Sequence, residues 1–199
     1  MNFNAAEINK FWTWFRSISA DLLANPTDNS LVTQLDNRVS KLGHFDWEIG
    51  PWGESLYYFT ISPNLNITRL ELTQQMIDLA PQCEGWHFLP SKPPKADWKG
   101  IWKMKNEVGK EILIDTNNWK YILYKFDDGT FDADIQITDV DGSQDTQNLA
   151  VDIAITGYIG EENFMRLINH INIVDQFEED TKSNSSLLKH IKKHIEHIM

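Results

Sequence analysis

The sequence predicts an α+β fold in which a mostly antiparallel sheet is covered by helices. Three observations point there. Residues 119–138, WKYILYKFDDGTFDADIQIT, place alternating apolar and polar runs on either side of Asp128-Gly129, the strongest short-range signal of a β-hairpin. Residues 4–43 carry apolar side chains at helical spacing in two stretches joined by Asn25-Pro26, which reads as an antiparallel helical hairpin. Between 45 and 174 the order hairpin, helix, strand occurs twice, over 45–89 and again over 119–174, without similarity between the residues themselves.

Each element follows from local chemistry. Asn4 stands three residues before Glu7 and opens the first helix, whose apolar face is Ile8, Phe11, Trp12, Phe15, Ile18 and Leu22. A second helix begins near Asn29 or Ser30, carries Leu31, Leu35, Val39 and Leu42, and ends at Gly43. Phe45, Trp47 and Ile49 alternate with Asp46 and Glu48 as a strand, Gly50-Pro51-Trp52-Gly53 reads as a turn, and Leu56–Ser62 returns. Asn66 or Thr68 caps a third helix with Leu72, Met76 and Leu79 on one face, and Trp86–Leu89 is a short strand. Pro90–Gly100 is irregular, and Ile112–Ile114 forms one more strand.

In the central hairpin a two-residue loop sets Phe126 against Phe131, Tyr124 against Ala133 and Ile122 against Ile135, all facing the core. Asn148–Ile159 fits both a strand and a helix. Helix is preferred, because Asp145 or Thr146 can cap it and Gly160 can end it. Glu161–Asn169 adds a helical turn or two, and Ile171–Val174 reads as a strand. The expected organisation is one α+β domain over 1–175, a polar linker over 176–186 and an amphipathic helix over 187–199, with Leu188, Ile191, Ile195 and Ile198 as its apolar stripe.

Composition narrows the function classes. The net charge of −11 repels nucleic-acid backbones and anionic membranes, so neither is an expected partner; a basic protein is the better match. From Asp127 to Asp152 there are eight Asp and no Lys or Arg, whereas 182–199 is basic. Cys83 is the single cysteine, so no internal disulfide forms, and a reducing, cytoplasmic setting is expected. The N-terminal residues show no basic-then-apolar export signal, and no run reaches the ~18 apolar residues of a membrane span.

Several short stretches resemble an uncharacterised family of small bacterial cytosolic proteins: FWTWF at 11–15, LVTQLDNRV at 31–39, FDWEIGP at 45–51, FTISPN at 59–64, LAPQCEGWHF at 79–88 and YIGEE at 158–162. The resemblance covers most of 8–175 and leaves out the tail. It implies a helix at 148–159, and it assigns no activity, cofactor or catalytic residue.

Candidate chemistry is sparse. Asp127, Asp128, Asp132 and Asp134 can converge across the hairpin, with Asp139 and Asp141 joining from the next loop, as hard divalent cations require. The calcium-loop pattern fails, because Ile137 or Tyr124 occupies its first position. The commoner use of such aspartates is turn chemistry and a solvated or protein-binding face. His190, His194 and His197 share a helix face, but Ile191 stands where a zinc protease has Glu, and lysines surround them, so a solvated face is expected. Cys83 follows a helix end, where no dipole activates it. Trp86–Trp102 brings prolines, tryptophans and Lys92, Lys95, Lys99 and Lys103 into one loop, a possible peptide or sugar platform or a loop pinned by its Trp residues.

The sequence therefore favours a non-catalytic, cofactor-free protein-binding module of immunity type. Its expected partner-binding residues are Asp127, Asp128, Asp132, Asp134, Trp98 and Trp102. The alternatives are a metal-dependent hydrolase using the Asp127–Asp141 carboxylates and a small-ligand binder using the Trp86–Trp102 loop. Acidic and basic patches on one chain also allow a head-to-tail homo-oligomer.

Overall fold

The computed structural model describes residues 4–198, so Met199, the last residue of the expected terminal helix, lies outside the described residues. The fold is α+β with mostly antiparallel sheets, and it divides into two units, Met1–Lys92 and Pro93–Met199.

The first unit opens with the helical hairpin α1 (Ala5–Ala24) and α2 (Asn29–Leu42). The Asn4 side chain accepts from the Glu7 amide at 3.4 Å, and Asp28 caps α2 by accepting from the amides of Ser30 and Leu31 at 2.9 and 3.0 Å. Each satisfies donors that a helix start leaves orphaned. The hairpin leads into β1 (Asp46–Trp52) and β2 (Leu56–Ser62), which pair antiparallel; α3 (Ile67–Asp78) then crosses to β3 (Trp86–Leu89), parallel to β2. The first turn sits later than expected. β1 runs through Gly50 and Pro51 to Trp52, and the chain reverses over 53–55. Pro51 is tolerated because β1 is an edge strand. On α3 the expected Leu72 and Met76 pack on the core, whereas Leu79 stands at the cap beyond the last turn and is exposed; Leu70 and Thr73 are buried as well. The Trp12 indole donates to the Met76 carbonyl at 2.8 Å. The core of this unit is aromatic, with Phe11, Trp12, Phe15, Phe59 and Trp86 packed edge-to-face and stacked.

The second unit repeats the order. β4 (Ile101–Lys105) and β5 (Glu111–Asp115) form a separate two-stranded ribbon, of which β4 was not anticipated. The hairpin β6 (Lys120–Lys125) and β7 (Phe131–Gln136) is followed by α4 (Gln144–Ile159), α5 (Glu161–Leu167) and β8 (Ile168–Val174), which pairs parallel to β7. The ambiguous 148–159 stretch is helix. Its cap is Ser143, ahead of the expected Asp145 or Thr146, and Gly160 ends it. The chain returns as β9 (Ser186–Leu187) beside β6 and ends in α6 (Ile191–Ile198), giving a sheet of order β8-β7-β6-β9. Leu188, Ile191 and Ile195 bury the expected stripe against a core of Trp119, Tyr121, Phe131, Ile135, Ala154 and Ile155.

The central hairpin forms, but one residue out of the expected register. Leu123 pairs with Ala133, Tyr121 with Ile135 and Lys125 with Phe131. The loop is Asp127-Asp128-Gly129: the Phe126 amide donates to the Thr130 carbonyl at 2.9 Å, and the Gly129 amide donates to the Phe126 carbonyl at 3.1 Å. Gly129 takes φ +83°, the left-handed step that closes a three-residue hairpin loop. A one-residue shift exchanges the faces of a strand. Tyr121 and Leu123 therefore face the helices, while Ile122 and Tyr124 face the opposite side; Tyr124 and Phe126 are exposed, not core.

Candidate functional site

The face of the four-stranded sheet turned away from α4 and α6 is the candidate site. Alternation along three neighbouring strands builds it as a grid. Tyr124, Asp132 and His170 form one row, Ile122, Asp134 and Asn172 the next, and Lys120, Gln136 and Val174 the third. Asp132 and Asp134 are two residues apart on β7, so their carboxylates stand on the same face about 7 Å apart.

Asp134 is held by neighbours on both sides. The Tyr124 hydroxyl donates to one oxygen at 2.8 Å and the Asn172 amide to the other at 3.1 Å. That hydrogen bond, followed by burial, pushes the Tyr124 phenol up to about 12. Asp132, by contrast, has no hydrogen bond or ion pair among the described residues and keeps its oxygens for solvent or a partner. Asp128 serves the loop. Its side chain accepts from the Thr130 amide at 2.9 Å and hydroxyl at 2.6 Å, which holds its carboxyl below the usual range. Asp127 is exposed beside it.

The stretch over 176–186 adds to this face. To pass from β8 to β9, the chain must travel from one edge of the sheet to the other. Gln136 donates to the Asp175 carbonyl at 2.8 Å, and Glu178 and Thr181 both act on Tyr124. The segment thus passes Gln136 and Tyr124 on this face, carrying Glu178, Glu179 and Asp180; Phe177 and Ile122 are both buried. The result is a polar surface with two sheet aspartates, a short acidic strap and two loop aspartates.

The other expected site residues are placed elsewhere. Asp141 pairs with Lys110 at 2.8 Å, and Asp139 sits in a turn at φ +58°. No group of three or more His, Cys, Asp or Glu among the described residues is arranged to hold a metal ion. Trp98 and Trp102 are half-buried, 5.3 Å apart, with Trp98 4.9 Å from Tyr158 and lying on Gly157. The two rings pack on each other, on Tyr158 and on Gly157, and the Lys95 amide, donating to the Gly157 carbonyl at 2.8 Å, pins the loop. Trp86 is buried in the first unit's core. Lys92 and Lys103 are ion-paired, with Asp46 and Glu111. His194 accepts or donates with the Tyr121 hydroxyl at 2.9 Å, so the three-histidine face is not wholly solvated. Cys83 lines an open groove of about 650 Å³ with Ile77, Pro81, Glu84 and His87, and burial pushes its thiol up, away from nucleophilic use.

The sheet-face residues missed from sequence are His170, Asn172 and Tyr124. The alternation in INHINIV at 168–174 was the signal for the first two. Comparison with protein-family models, curated proteins and solved structures finds no match for this chain. No described helix is long and apolar enough to cross a membrane.

Proposed function

We propose that this chain is a non-catalytic protein-binding module that receives a basic partner protein on the acidic open face of its four-stranded sheet, as an immunity-type protein neutralises a basic toxin. The observation that carries this is the pairing of Asp132 and Asp134 on one sheet face with the acidic stretch 178–180 beside them, on a chain of net charge −11. Such a field speeds the approach of a cationic surface and rejects nucleic acid and anionic lipid. Asp128 serves its turn, Asp134 accepts from Tyr124 and Asn172, and Asp141 pairs with Lys110, which leaves the Asp132 carboxylate as the one of the sheet pair available to a cationic partner.

The test is a panel of basic proteins titrated against the full chain at low and high salt, with the D132N/D134N double variant alongside. Affinity should fall at least about tenfold between roughly 50 and 300 mM salt and should weaken further in the variant. Binding that ignores both salt and the two substitutions refutes the proposal.

A further inference from the structure

The geometry points to the outer edge of β8 as the place where the partner is held, by addition of an extended segment that alternates basic and apolar residues. This rests on the acidic-face proposal and names how that face is used. β8 is the terminal strand of the order β8-β7-β6-β9; at the opposite edge the chain's own two-residue β9 pairs with Lys120 and Tyr121 of β6. An unpaired edge presents a row of backbone donors and acceptors, and proteins ordinarily blunt it with charge, proline or a short strand. β8 is seven residues long, INHINIV, and has neither a charged residue nor a proline. The register is irregular between Phe131 and Asp132, and from His170 to Val174 it runs without a break.

The two faces of this edge specify the visitor. His170 and Asn172 are exposed on the open face, next to Asp132 and Asp134; Ile171 and Ile173 are half-buried on the other face, against the helix-covered core. A strand added about 4.8 Å outside β8 sets alternate side chains beside His170 and Asn172, about 10 Å from the two carboxylates. A lysine or arginine stem reaches back over most of that distance. The intervening positions meet Ile171 and Ile173 and are best filled by aliphatic side chains. Main-chain hydrogen bonds supply affinity, and the alternating pockets supply specificity. A second copy of this chain is the less favoured occupant, because pairing β8 with β8 brings two chains of net charge −11 together along their acidic columns.

The experiment uses the full chain, isotope-labelled, with two synthetic peptides of about eight residues alternating lysine and valine. The second peptide is N-methylated at every other backbone nitrogen, so charge and side chains are kept while strand pairing is blocked. The first peptide should slow amide exchange in 168–174 and bind at least about tenfold more tightly than the second. Equal affinity for the two overturns strand addition and leaves the acidic-face proposal standing. Failure of both peptides while basic proteins still bind in a salt-dependent way also overturns it. Failure of peptides and basic proteins alike removes both proposals. A chain that sediments as a dimer with 168–174 already protected before peptide is added assigns the edge to a second copy and overturns the inference.

Discussion

Replacing Gly157 with alanine tests whether Trp98 is structural packing or a ligand platform. Gly157 is buried near the end of α4, and a Cβ built there would lie 2.2 Å from Trp98 Cζ3 and 2.6 Å from two further ring carbons. By helix propensity alone, Gly→Ala in a helix gains about 1 kcal/mol. The ring, however, is a rigid body wedged between Trp102 and Tyr158, at 5.3 and 4.9 Å. Displacing it falls at the upper end of overpacking costs, about 3 kcal/mol. The net expectation is a loss of about 2 kcal/mol. With a urea slope of about 1.5 kcal/mol/M, the unfolding midpoint drops by about 1.3 M. Near-ultraviolet circular dichroism should lose the coupled indole signal at the same time. In a Trp98→Ala background the clash is gone, and Gly157→Ala should become neutral or stabilising, a sign reversal that a double-mutant cycle reads directly. If Gly157→Ala stabilises the otherwise unaltered chain by the full propensity gain, Trp98 does not lie on Gly157 and is free to serve as a binding surface.

Two further outcomes follow from ionisable groups. Burial pushes the half-buried Asp152 carboxyl up to about 6, so the folded chain holds that proton more tightly than the unfolded chain. The cost of ionising it grows between about pH 4 and pH 6 and is complete above. Asp152→Asn should therefore stabilise the protein at pH 7.5 by about 1 kcal/mol, a value discounted for partial exposure, and the gain should vanish below about pH 4; urea midpoints at both pH values decide it. On the open face, Asp134→Asn replaces the charged acceptor that helps hold the Tyr124 phenol up to about 12 with a neutral amide. Ultraviolet titration should then show one tyrosine moving back toward the ordinary value near 10, and a wild-type Tyr124 that already titrates there rules out the hydrogen bond.

What the sequence determined by itself was the list of elements and their chemistry. Caps at Asn4 and Asn66, the stop at Gly160 and the stripe from Leu188 to Ile195 are local signals, and each is realised where the residues place it. It also determined β7, whose FDADIQ admits only one inward face. β6 is different. In Tyr121-Ile122-Leu123-Tyr124 both alternating sets are apolar, so periodicity cannot choose between them. The choice was made by contacts far away in sequence. Tyr121 reaches His194 on α6, Trp119 donates to the Thr138 carbonyl at 3.2 Å, and Ile122 is buried on the opposite face. A three-residue loop with Gly129 in the left-handed region accommodates that choice. Tertiary structure alone thus put Tyr124 beside Asp134 and made an acidic sheet face of residues that, read locally, belonged half to the core.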